Sequence, residues 1–137
     1  MDILNHFSED VLEYTKERIE DYQLIDIEKA IGVSIGEELR KYILQYGYLA
    51  YGHIEFFGVN SKQFLRSDLV RESQYLHEYF PKTKQFIALE SKGDGDYALV
   101  DSYDRVFEFI TDDESLRDTG LRLFAYILSR FEEIKDL

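Results

Sequence analysis

The amino-acid sequence predicts an α+β fold: a single domain over residues 1–137, with a central, mostly antiparallel sheet and helices packed against it. Three observations carry the prediction. Apolar residues recur at helical spacing in the first third of the chain and again near its end, whereas FIALE, YALVD and RVFEFI between them are short runs of β-branched and aromatic character. Only a few residues separate those three runs, and parallel pairing needs a crossover of about a dozen or more, so an antiparallel meander follows. Finally, 137 residues with 45% apolar content suit one core, because a chain of this size buries roughly 68% of its unfolded surface.

Taken in order, Val11, Leu12, Ile19 and Tyr22 recur at helical spacing, which predicts a helix from Ser8, as N-cap, to about Tyr22. Asp26 then caps IEKAIG, a short helix stopped by Gly32. In EELRKYILQYG, Leu39, Tyr42, Ile43 and Tyr46 form one stripe, with Glu37 and Glu38 at the positive helix end and Gly47 placed for a left-handed C-cap. YGYLAYGH reads as a loop able to expose Tyr46, Tyr48 and Tyr51, and HIEFFGV as a strand. SDLVRESQYLHEYFP is a helix capped by Ser67 and ended by Pro81. After the three strands, TGLRLFAYILSRFEEI sets Leu121, Phe124, Leu128 and Phe131 on one helical face, with Ile127 beside it, so this helix should lie across the sheet.

Composition excludes several classes of function. Without cysteine there are no disulfides and no thiolate zinc site, which is compatible with a reducing cytoplasm, the expected location. Neither a secretory leader pattern nor a run of roughly 20 apolar residues occurs, so a soluble, untargeted protein is expected. A net charge of -12 repels phosphate backbones and anionic lipid. Nucleic acid and membrane are therefore not expected as partners, and a basic protein is. The charge is uneven: residues 90–118 hold ten acids against three bases, residues 1–31 nine against three, and residues 60–89 come out at +2. Eleven Tyr and ten Phe with no Trp add a heavy aromatic load, and Tyr is a residue that protein interfaces favour.

The stretch SKGDGDYALVDSYDRV concentrates the candidate chemistry. Asp94 and Asp96 alternate as in a calcium loop, but Ala98 stands where the third oxygen ligand belongs and no terminal Glu follows at the required spacing. A catalytic pair needs two carboxylates about 5 to 10 Å apart in unequal environments, and nothing in the sequence marks either Asp as buried. A turn fits best: Gly93 and Gly95 supply positive φ, and the aspartates serve local amides. Asp94 at an exposed tip could still meet a basic partner while Asp96 braces the turn. His6, His53 and His77 lack zinc spacing, no serine sits in a nucleophile elbow, and no glycine pattern binds nucleotides. No metal, no cofactor and no small-molecule substrate are expected.

IEKAIGVSIGEELRKYILQYG, then HIEFFGV, then GDGDYALVD, then an amphipathic last helix, together resemble the SUKH superfamily (Smi/Knr type) over roughly residues 24–132. The resemblance implies an α+β domain, non-enzymatic, of the kind that serves in bacteria as toxin-immunity proteins. It maps the family's Gly-Asp turn onto Gly93, Asp94, Gly95 and Asp96, and its helix-ending glycine onto Gly47. The expected function is binding and neutralising a cognate, basic, nuclease-like polymorphic toxin through an acidic surface. Candidate contact residues are Tyr48, Tyr51, Glu55, Asp94, Asp96, Asp101, Asp104, Asp112, Asp113 and Glu114, with Gly47, Gly93 and Gly95 structural. Two alternatives stay open: a non-catalytic regulatory scaffold that binds another cellular protein, and a hydrolase using the acidic loop.

Overall fold

The computed structural model describes residues 12–15, 18–59 and 68–135. In chain order the elements are β1 (Leu12–Tyr14), α1 (Asp21–Ile31), α2 (Glu37–Tyr46), β2 (Leu49–Tyr51), β3 (Ile54–Phe56), α3 (Leu69–Tyr79), a 3-10 turn (Pro81–Thr83), β4 (Ile87–Gly93), β5 (Asp96–Val100), β6 (Arg105–Ile110), β7 (Ser115–Arg122) and α4 (Leu123–Lys135). The strands form two antiparallel sheets, ordered β1-β2-β3 and β4-β5-β6-β7. Phe57 N–H donates to Leu89 O at 2.7 Å and so joins the two sheets at their edges. This is the expected α+β architecture, with its antiparallel strands divided between two sheets.

The first expected helix does not form where it was placed. Its Ser8 start lies outside the described residues, and Leu12–Tyr14 is a strand paired with β2 through Leu12↔Tyr51. Helix α1 begins at Asp21 instead of Asp26, where Glu20 N–H donates to the Gln23 side chain at 2.8 Å. It ends as expected at Gly32, whose φ of 78° allows its N–H to reach Glu28 O at 2.8 Å. Leu24, Ile27 and Ile31 face the core, leaving Tyr22 and Ile25 outside.

Helix α2 buries the four residues of its predicted stripe. At its end Gly47 adopts φ 68°, ψ -52°, and Tyr48 N–H returns to Tyr46 O at 2.7 Å. That is a γ-turn of the rarer, positive-φ hand. It throws the chain directly into β2, so YGYLAYGH is not an exposed loop: Tyr46 and Tyr48 are buried and Tyr51 is half-buried. Gly47 O accepts from Val59 N–H at 2.9 Å, and a Cβ on Gly58 would stand 1.9 Å from the same oxygen. Two backbones cross here with no room for a side chain.

Helix α3 is capped by Asp68, which accepts from Arg71 N–H at 2.9 Å; the expected cap, Ser67, lies outside the described residues. Buried Ser73 on α3 accepts from Ala88 N–H at 2.8 Å, which satisfies part of the β4 edge. Neither β7 nor the late start of α4 was expected, since Leu121 belongs to the strand and Leu128 is only half-buried. Strand β7 is an edge strand with a register shift opposite Arg105 and Phe107, devices that discourage edge pairing.

Both faces of the four-stranded sheet are covered. Phe80 and Phe86, which follow α3, pack edge-on against Phe109 and Phe107, with centroids 5.4 and 5.1 Å apart. On the other face α4 presents Arg130, whose Nη2 lies 2.6 Å from Glu90 Oε2, while Tyr126 Oη donates to Glu90 Oε1 at 3.0 Å. Glu90 is 1% exposed. Burial, followed by the neighbouring Glu90 charge, pushes the Tyr126 hydroxyl far above its ordinary pKa. Removing one member of such a pair strands the other in low dielectric, whereas replacing both is mild. Arg130→Met should cost about 3–5 kcal/mol in urea unfolding, and adding Glu90→Leu should restore most of it. A double variant as unstable as the single would refute this coupling.

Candidate protein-binding face

A meander sends alternate turns to opposite ends of its sheet, and this separates the acids that are adjacent in sequence. At one end lies the β5–β6 turn. There Asp101 accepts from Tyr103 N–H at 2.9 Å and from Arg105 N–H at 2.9 Å, with Arg105 Nε at 2.8 Å. Asp104, at φ 65° and 1% exposed, directs its carboxylate onto the N-terminus of α2, accepting from Glu38 N–H at 2.9 Å and Leu39 N–H at 3.0 Å. The N-cap position itself is Gly36, and a Cβ there would stand 2.3 Å from Asp104 Oδ1. The cap thus comes from a residue distant in sequence.

Glu38 then does for α4 what Asp104 does for α2. Its Oε1 accepts from Phe124 N–H at 2.9 Å, and its Oε2 lies 3.0 Å from Arg122 Nε. Arg122 also approaches Asp104 Oδ2 at 3.5 Å, and Asp104 O accepts from Leu123 N–H at 2.9 Å. Asp101 and Asp104 are therefore withdrawn as contact residues, because buried amides and guanidinium groups already occupy their oxygens. Tyr48 is withdrawn as well, since it is fully buried.

The opposite end of the sheet carries the other two turns. Asp94 and Gly95 join β4 to β5 with φ 54° and 85°, the double positive φ that a two-residue hairpin turn of type I′ requires, and Gly93 precedes them at φ 88°. Thr111 N–H donates to Gly95 O at 3.1 Å, which ties this turn to the β6–β7 turn over residues 111–114. Asp94, Asp112, Asp113 and Glu114 are exposed there, and Asp96 is half-buried. Hydrogen bonds from the Ser115 hydroxyl and N–H hold the Asp113 carboxyl below its ordinary pKa. Lys82, just beyond α3, donates to Glu114 O at 2.9 Å and seats the end of that helix against the hairpin.

Of the remaining candidates, Tyr51 packs on Phe131 with centroids 5.3 Å apart, on the α4 side of the molecule. Glu55 is exposed and helps line an open hollow of about 470 Å³ with His53, Arg71, Glu72 and Tyr97. Glu72 is half-buried, and burial raises its pKa, an effect that Arg71 opposes and Asp68 reinforces. The Tyr97 hydroxyl is also raised, first by burial, then by Glu72 and Tyr75. Tyr75 and Tyr79 stand outside on α3, 42% and 65% exposed, with ring centroids 5.0 Å apart. Sequence reasoning missed these two, although their position off the Leu69–Ser73–Leu76 stripe was a usable signal.

Glu55, Glu72, Tyr97, the tyrosine pair and the acidic turns thus follow one another around one side of the protein. The acids on this side stand on exposed turns or in an open hollow, and among the described residues no group of three or more His, Cys, Asp or Glu is placed to hold a metal ion. A family model described as SUKH_5, SMI1-KNR4 cell-wall, matches residues 2–131. The chain belongs to the SUKH family. No curated protein matches the chain. SUKH proteins are generally non-catalytic and generally associated with protein–protein interaction, which agrees with an exposed acidic and aromatic face. Among the described residues no helix is long and apolar enough to cross a membrane.

Two outcomes are expected from this geometry. Asp104→Ala leaves two helix N–H groups without a partner, and should cost about 2–3 kcal/mol by urea unfolding. Asp104→Asn keeps an acceptor and tolerates positive φ, so it should cost less than half as much; equal losses would show that the cap is not the reason for Asp104. Glu72 has its folded pKa raised above the ordinary value, so its stabilising contribution is present below its unfolded pKa and is lost as pH rises through the folded one. Glu72→Gln should therefore be more stable than wild type at pH 7, with the advantage disappearing in acid. Equal thermal midpoints for the two proteins at pH 7 would contradict this.

Proposed function

We propose that this SUKH protein is an immunity-type binder that neutralises a cognate, basic, nuclease-like toxin stoichiometrically. The observation that carries the reading is the convergence of the β4–β5 and β6–β7 turns. It places Asp94, Asp112, Asp113 and Glu114 on one exposed rim with Asp96 behind them. Such a rim supplies a field that a basic cleft on a toxin would satisfy, and like charges held together on one surface gain from a cationic partner. The same complementarity would cover the surface by which a nuclease holds its phosphate backbone.

The mechanism is occlusion. Long-range attraction orients the two proteins, and contact residues around the rim then hold the complex closed. In this reading Asp101, Asp104 and Tyr48 keep the rim in place from inside the fold, and Glu55 lies on the same side as the rim.

The partner for the test is to be sought in the reading frames adjacent to this gene, where the immunity reading expects a toxin. Asp94→Lys and Asp112→Lys together should lower its association rate by roughly tenfold or more at low salt, and flatten the salt dependence. The dissociation rate should change far less. Stopped-flow association across a salt series reads both quantities, and rates unchanged in the doubly reversed protein would remove the rim from the mechanism.

A further inference from the structure

We propose that Tyr75 and Tyr79 form a binding site for an arginine side chain of a basic protein partner, with the carboxylates around them holding the guanidinium's charge. The inference deepens the reading above, on which its biological meaning rests, by naming the contact that fixes the partner once the acidic rim has attracted it.

The tyrosine pair is the starting observation. Two large rings at i and i+4 on α3 are left in solvent at 42% and 65%, stacked at a tilt of 47° with centroids 5.0 Å apart. They contribute nothing to the buried stripe of α3, which is Leu69, Ser73 and Leu76. Exposed tyrosine rings offer electron-rich faces, and a guanidinium is the protein cation that best stacks on one.

The surroundings set the charge of the occupant. Glu78, which precedes Tyr79 in sequence, is exposed, and Glu72 lies one turn before Tyr75. Tyr97, next to Asp96 on β5, feels both Glu72 and Tyr75. Beyond Tyr79, the Phe80–Phe109 contact and the Lys82–Glu114 hydrogen bond seat the end of α3 against the β6–β7 hairpin, beside Asp112 and Asp113. Of the nearby cations, Lys82 is engaged with the Glu114 carbonyl, and Arg71, one turn before Tyr75, stands beside Glu72 in the hollow and offsets part of that one charge. Burial already disfavours the ionised form of Glu72, so a cation arriving at Tyr75 would relieve it. An apolar or anionic occupant would meet the same carboxylates unfavourably.

Arginine is distinguished from lysine by its plane. Both cations answer the acids equally, but only the guanidinium can lie flat on a tyrosine ring while its N–H groups reach carboxylates at the edge. The rings should therefore report as an arginine preference, and the acids as charge attraction that either cation satisfies.

Hexa-arginine and hexa-lysine peptides, titrated separately into the full chain by calorimetry at fixed salt, test the site without any knowledge of the natural partner. Hexa-arginine should bind roughly two- to fivefold more tightly, the range expected of an exposed cation–π contact. Tyr75→Leu with Tyr79→Leu should abolish that preference and leave hexa-lysine binding unchanged, whereas Tyr75→Phe with Tyr79→Phe, which keeps the rings, should retain it. Asp94→Lys with Asp112→Lys should weaken both peptides alike and preserve their ratio. Equal affinities in the wild type, or a preference that survives the leucine variants, would overturn the proposal. A preserved arginine preference in a chain that binds no toxin encoded beside it would leave the site standing and sink the immunity reading instead.

Discussion

The Asp104 carboxylate is the point at which the two halves of this protein are joined. It leaves the β5–β6 turn, enters the space that Gly36 leaves empty, and accepts the first free amides of α2. The backbone oxygen of the same residue accepts from Leu123 where α4 begins, and Glu38 in the first turn of α2 caps α4 in return. Each helix start is thus completed by a residue from elsewhere in the chain, so no one of the three segments can shift alone. Two helix dipoles converge on two carboxylates, and Arg122 bridges the two acids and keeps their mutual repulsion low.

Fixing one end of the four-stranded sheet in this way determines what the other end can do. The β5–β6 turn is committed to the interior, so the β4–β5 and β6–β7 turns must point away from it. Helices cover both faces of the sheet, through Phe80 and Phe86 on one side and Arg130 on the other. The free end is the part left available, and its acids have few internal duties. Asp101 and Asp104 lie between Asp94 and Asp112 in sequence and share their chemistry, yet they are structural because turn parity puts them at the other end.

This parity explains how much the sequence could reveal. Helix α2 was legible because its apolar spacing, its acidic first turn and its final glycine agreed with one another. Strands β4, β5 and β6 and the Gly-Asp turn were legible for the same reason. The start of α1 was not, because Tyr22 and Ile25 look like core residues and face solvent instead. Strand β7, with sequence SLRDTGLR, carries no apolar alternation, since an edge strand with charged side chains has little apolar surface to hide. Strand β2 was hidden by the γ-turn at Gly47, a backbone feature that no side-chain pattern announces. Charge composition singled out residues 94–96 and 112–114, and the structure leaves Asp94, Asp112, Asp113 and Glu114 exposed. Composition could not reveal that Glu90, Asp101 and Asp104 in the same block face inward, or that α3 carries an exposed tyrosine pair while Tyr46 and Tyr48 of YGYLAYGH are buried.

The acids and the tyrosines on the resulting face would act at different distances. Exposed carboxylates act through water over about a Debye length, near 8 Å at physiological ionic strength, so they bias encounter more than they hold a complex. Ring faces act only in contact, and their effect belongs to the dissociation rate. Separating the two duties lets each be altered alone: turns can exchange acids at little cost to the fold, while the tyrosines keep a rigid register on a helix seated by Ser73 and Phe80. A face built in this way could retain general attraction for basic proteins while its selectivity changed through a few positions on α3. Selectivity would then reside on the rigid helix, and speed on the turns.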